Sequence, residues 1–177
     1  MDSKSQKIYA FIDSQNLNLS VKNDIFEKPT GRLIYRGWDL DFRRFFVYLK
    51  DKHKVDQAFL FIGRVAGMEK LYSFLESVGY HVIYKPTLEY KGNGESHTKG
   101  NVDAELILHS MIEFPNYDKA IIVAGDGDYF CLVEYLEKNR KLLHVIIPNR
   151  QQYSALLGRF RPYLLFVTDL KAKLERK

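Results

Sequence analysis

The chain has 177 residues, 46% of them hydrophobic, 14% aromatic and 28% charged, which suits one packed domain and excludes a mainly disordered chain. Its 27 Lys and Arg against 22 Asp and Glu give a formal charge of +5, a balance that hints at an anionic partner without identifying one. Apolar runs no longer than that of residues 58–62 exclude a membrane-spanning helix, which needs ~20 such residues.

The first residues, Met1 to Lys7, carry no apolar signal core, so a cytoplasmic location is the default expectation. Residues 7–13 (KIYAFID) then read as a strand. Residues 26–38 carry a Pro-Thr-Gly turn signal and are expected to form a hairpin or an ordered arm. A helix is expected over 39–50, where Phe42, Phe45, Phe46 and Leu49 share a stripe, followed by a strand over 55–63. A second helix over 68–78 stops at Gly79, where a left-handed cap residue is wanted.

A strand over 80–85 leads to residues 86–100, which are polar and glycine-rich and read as a mobile loop. The third helix, 102–113, offers Ala104, Ile107, Leu108, Met111 and Ile112 as its buried stripe. Strands over 119–124 and 142–148 flank a helix over 129–139, and a last strand is expected over 163–168. Cys131, the one cysteine, reads as a small buried hydrophobe. The alternation predicts an α/β protein, a mostly parallel sheet covered on both faces by helices. One domain is expected over 7–170, with a short extension at 1–6 and a basic tail at 171–177 that reads as a solvated end.

In such a sheet, ligands gather at the carboxyl ends of the strands, near the point where strand order reverses. The first strand ends in Asp13, with Asn16 following. The 119–124 strand runs into Gly125-Asp126-Gly127-Asp128, and Asp103 opens a helix leaving the same edge. Each acid taken singly reads as well as a helix cap. Together, four carboxylates in a crevice would raise one another's pKa unless a cation compensates them. A set of carboxylates with an Asn amide, and no Cys or His pair at ligand spacing, favours Mg²⁺ or Mn²⁺ over zinc. Such ions assist phosphodiester hydrolysis. The glycines beside the acids would let the backbone turn sharply and approach a ligand.

Three blocks resemble the NYN domain family, a branch of the PIN-like nucleases: Phe11-Ile12-Asp13 with Asn16, Lys99-Gly100-Asn101-Val102-Asp103, and Ala124-Gly125-Asp126-Gly127-Asp128-Tyr129. The last is similar to the family's Ser-Gly-Asp-Gly-Asp-Phe. The resemblance runs from about Lys7 to Leu170. It implies a three-layer α/β/α sandwich and metal-dependent endoribonuclease activity. Asp13, Asp103, Asp126 and Asp128 would be catalytic metal ligands, and Asn16 would orient a ligand or the substrate phosphate. Two positions depart from the pattern: Ala124 lacks a hydroxyl that the family often has, and His109 stands where it often has an Asp. His109 would bring a base or a phosphate contact to that helix, although a lone His is more often structural.

Residues 138–168 hold six Lys and Arg and no acid, which suggests a basic surface beside the acids. Arg64, Lys85, Lys91 and Lys99 could add to it, and Tyr35, Trp38 or Tyr90 could stack on unpaired bases; Lys99, Arg64 and Tyr90 are the substrate contacts expected besides Asn16. The partner expected is single-stranded or structured RNA, with a homo-oligomer left open. Two other readings compete: an RNA-binding or regulatory module that keeps the fold without turnover, and a small-molecule phosphohydrolase. No Walker A sequence or nucleophile elbow appears, and the calcium-loop likeness at Asp126 fails because Phe130 and Cys131 fall on positions needing an oxygen ligand and a glycine.

Overall fold

A computed structural model describes residues 6–86, 88–92, 95–99 and 101–177, with the backbone alone between 87 and 100. Strand β1 (Ile8–Asp13) passes without a loop into helix α1 (Ser14–Lys22), which the sequence reading missed. The reason is composition: α1 (SQNLNLSVK) buries only Ser14, Leu17 and Val21, and its polar residues blur the periodic signal. A small antiparallel hairpin follows, β2 (Ile25–Phe26) and β3 (Leu33–Tyr35), as the turn signal foretold.

Helix α2 (Phe42–His53) is capped by Asp41, whose Oδ1 accepts from Arg43 N at 2.9 Å and Arg44 N at 3.1 Å. Next come β4 (Gln57–Arg64), α3 (Glu69–Val78) and β5 (His81–Pro86). Gly79 ends α3 at φ +117°, and a Cβ there would stand 2.7 Å from the Phe46 ring, so both conformation and space require glycine. The segment expected as a loop after β5 instead pairs with itself as an antiparallel hairpin, β6 (Leu88–Gly92) with β7 (Glu95–Lys99). Alternating β-branched and aromatic residues were too sparse there to announce strands.

Helix α4 (Asp103–Ile112), β8 (Lys119–Val123), α5 (Phe130–Lys138), β9 (Leu142–Ile147), β10 (Leu164–Phe166) and the short α6 (Lys171–Leu174) complete the chain. The six long-range strands form one parallel sheet in the order β10-β9-β8-β1-β4-β5. Alternation along β1 sends Tyr9 and Phe11 to the face covered by α4 and α5, and Ala10 and Ile12 to the face covered by α1, α2 and α3. This is the expected α/β/α sandwich.

Three local expectations are corrected. The buried side of α4 carries Leu106 and Ser110, while Leu108 and Ile112 of the expected stripe are exposed. Cys131 is exposed, on the outer side of α5. The basic end is docked: Leu174 is buried, its carbonyl accepts from Asp41 N at 2.9 Å, and Arg176 N donates to Asp39 O at 2.8 Å.

A pH-sensitive contact lies at the start of this sheet. His53, at the end of α2, is buried with its ring 5.0 Å from that of His144 on β9 and its Nε2 3.1 Å from the Tyr48 hydroxyl. Burial first, then the His144 and Lys52 charges, lowers its pKa from 6.5 to about 4. The unfolded chain therefore binds the proton more readily, and this contribution is present above pH 6.5 and lost as pH falls toward 4. Urea unfolding at neutral pH and near pH 4 is expected to differ by roughly 2 kcal/mol from this residue, with the difference reduced in His53→Gln; an unchanged difference in the variant would remove His53 as its source.

Candidate active site

Strand order reverses at β1: the chain builds outward through β4 and β5, then crosses back to place β8 on the other side of β1. The carboxyl ends of β1 and β8 therefore border one crevice. A side-chain bond spans it, the Asn16 Oδ1 accepting from the Gly125 N–H at 2.8 Å. Asn16 thereby fixes the exit of β8 to the first turn of α1.

Asp13 lies on the floor, 5% exposed. Its Oδ1 caps α1 by accepting from Asn16 N at 2.9 Å, and its Oδ2 accepts from the Tyr129 hydroxyl at 2.8 Å. The same hydroxyl oxygen is 2.7 Å from Asp103 Oδ1. Asp103 is set in the first turn of α4 by Asn101, whose Oδ1 accepts from Asp103 N at 2.9 Å. Asp126 caps the 3₁₀ turn Gly127–Tyr129, accepting from Asp128 N at 3.2 Å. Asp126 and Asp128 stand exposed at the mouth. Asp13 and Asp126 are thus caps and members of one cluster at once; the two readings were not exclusive.

The electrostatics follow from this packing. Burial raises the Asp13 pKa, against the Asn16 and Tyr129 hydrogen bonds that lower it. Asp128 is raised by the Asp126 charge first, then by its side-chain hydrogen bond with Asp103. Burial, and then the Asp13 charge, hold the Tyr129 hydroxyl firmly protonated. One hydroxyl proton cannot serve two carboxylates, so the cluster is at ease only when it shares a further proton or a cation. Its donors are the hard oxygens that suit Mg²⁺ or Mn²⁺. Among the described residues, however, no three acidic, His or Cys side chains stand ready-made around one ion position. Tyr129 lies between Asp13 and Asp103 and was not singled out from sequence; the only signal was a Tyr where the related motif has Phe.

The remaining candidates separate. His109 leaves the acids and packs on Phe59 and Phe61, with ring centroids 4.8 and 5.7 Å away. Glu105 pairs with Lys85 at 3.0 Å. Arg64, exposed at the carboxyl end of β4, lies over the Tyr84 ring at 5.5 Å. Trp38 is buried and Tyr35 is half-buried, its hydroxyl donating to Val21 O, so both serve packing. The side chains of Tyr90, Lys91 and Lys99 lie outside the described residues.

The acid-free stretch does not become one basic face. Lys141 is at the opposite edge of the sheet, donating to Phe114 O. Arg159 and Lys138 pair with Glu134, and Arg150 pairs with Asp169. Acids from other elements enter where the linear sequence had none. Gly125 and Gly127 likewise face protein: a Cβ at Gly127 would stand 2.6 Å from Ser154 Oγ, and one at Gly125 3.4 Å from Tyr153 Cβ.

The model of the NYN domain family matches residues 7–160. The chain is 22% identical over 153 residues to the low amplitude and bright protein LabA of Synechococcus elongatus, covering 82% of this chain and 76% of LabA. A crystal structure of a protein of unknown function from Vibrio parahaemolyticus superposes with a TM-score of 0.70 at 20% identity, covering 94% of this chain and 96% of that one. That likeness establishes the fold.

Tyr129→Phe tests the hydrogen-bonded core of the cluster. Without the hydroxyl, two carboxylates lose their shared partner, and urea unfolding at neutral pH without divalent ions is expected to drop by about 1–3 kcal/mol while the fold persists. Unchanged stability would mean that the hydroxyl contacts contribute nothing.

Proposed function

Because this chain belongs to the NYN domain family, and so has a PIN-like nuclease fold with an RNA-related role, we propose that it is a metal-dependent endoribonuclease working at Asp13, Asp103, Asp126 and Asp128. The observation that supports this most is the convergence of these acids at the switch point, with the Tyr129 oxygen 2.8 and 2.7 Å from two of them. Asp103, Asp126 and Asp128 would hold Mg²⁺ or Mn²⁺, with Asp13 contributing through water. The ion supplies Lewis acidity toward a phosphate oxygen and the leaving oxygen.

The protein's own groups would do the rest. Asp13 is held in place by Asn16 N and Tyr129, so it would keep the floor of the site rigid. Asp128, exposed at the mouth, would accept the proton of the attacking water on the carboxylate oxygen that does not hold the ion. The water oxygen would bond to phosphorus as one P–O ester bond breaks, the leaving oxygen taking a proton from solvent water and Asp128 returning its proton to solvent. Arg64, on the same edge of the sheet, would contact the incoming strand, and Asn16 would act through the Gly125 backbone rather than on phosphate directly.

A second reading rests on Tyr129. A hydroxyl wedged between Asp13 and Asp103 could replace the ion, leaving a module that binds RNA without turnover. Cleavage of labelled RNA with Mg²⁺ or Mn²⁺ separates the two. The ribonuclease reading expects chelator-sensitive cleavage that Asp126→Asn reduces at least ~100-fold, about 2.7 kcal/mol, with RNA binding retained. RNA binding indifferent to chelator, with no cleavage by either protein, would establish the second reading.

A further inference from the structure

A cavity of about 490 Å³ opens among α1, α2 and α3, on the face of the sheet opposite to the Asp13 side chain. Ser14 and Ile62 line it; Phe61, which pairs with Asp13 and precedes Ile62, faces the other side of the sheet. Its volume falls within the roughly 300–1,000 Å³ of small-molecule sites. Its walls are mixed. Ile62, Leu71 and Tyr72 give apolar and aromatic surface, while Ser14, Gln15 and Asn18 present polar atoms along one side.

Two details point to a ligand. Ser14 is 3% exposed, lines the cavity, and its Oγ has no hydrogen-bond partner, although a buried hydroxyl is costly to leave unpaired. Tyr72 is fixed in place, its hydroxyl accepting from Val65 N at 2.7 Å and donating to Gly63 O at 3.1 Å, so the aromatic wall is preformed. The lining charges offset one another. Lys22 lies 3.7 Å from Asp39, and Asp41, engaged as the α2 cap, stands against Arg176 in the count. The described lining is therefore neutral, and suits an uncharged, flat, hydrogen-bonding group better than a phosphate.

We propose that this cavity, on the other face of the sheet from the acids, receives an unstacked nucleobase of bound RNA. Tyr72 and the aliphatic side chains cover the base, and Ser14, Gln15 and Asn18 meet its polar edge. The inference rests on the ribonuclease reading for the identity of its occupant, but its test does not.

The experiment is an NMR titration of the metal-free protein with adenosine, guanosine, cytidine and uridine, with inorganic phosphate as control. At least one nucleoside is expected to give saturable shifts at the amides of Ser14, Asn18, Gly63 and Leu71, and phosphate none there. Leu71→Trp, a change at a residue 39% exposed, fills the cavity and is expected to abolish the shifts while the rest of the spectrum stays native. Asn18→Ala is expected to weaken binding about tenfold, ~1.4 kcal/mol. No saturable shift, or shifts that survive in Leu71→Trp, would overturn the proposal. RNA cleavage without nucleoside shifts would defeat the cavity assignment alone; nucleoside shifts at the cavity without cleavage would support it and defeat the ribonuclease reading instead.

Discussion

The central constraint is the parallel pairing of β1 with β4 on one side and β8 on the other, locked at its upper end by the Asn16 to Gly125 hydrogen bond. Because chain order reverses across that pairing, the helices following β1 and β8 leave toward opposite faces and open a crevice between them. Asp13 and the Asp126–Asp128 turn are carried into the crevice by the strands themselves, and α4 brings Asp103 from outside the sheet. The carboxylates would repel one another in so small a space; Tyr129, buried beneath them, holds two of them together through one oxygen. Sheet topology therefore places the acids, and one phenol makes the placement tolerable.

The chemistry of the crevice divides by depth. Asp13 is buried and tied down, suited to a fixed role, while Asp126 and Asp128 are exposed to solvent. The cavity on the other face of the sheet is neutral where the acids are negative. The initial +5 is consequently a poor guide to the binding surface, since Arg150, Arg159 and Lys138 are already paired with acids.

The fold and the acids were legible in the sequence for a physical reason: buried parallel strands are continuous apolar runs, and an acid at the end of such a run can only be at the sheet's edge. The resemblance of three spaced blocks to the NYN domain added the three-layer order of the sandwich. What escaped depended on tertiary contacts. The Tyr129 hydroxyl is invisible to hydropathy, α1 is too polar to announce itself, and Glu134 and Asp169 reach the basic stretch from α5 and from beyond β10. His109 illustrates the opposite case, a titratable residue that sequence made suspicious and packing turned toward Phe59.

The account stands on the claim that these four carboxylates form a divalent-ion site. A crystal structure of the protein soaked in Mn²⁺, recorded for anomalous scattering, tests it most directly. The account predicts an anomalous peak within about 2–2.5 Å of oxygens from Asp103, Asp126 and Asp128. A fully native cluster with no peak, its Tyr129 hydroxyl still bridging Asp13 and Asp103 at saturating Mn²⁺, would contradict it.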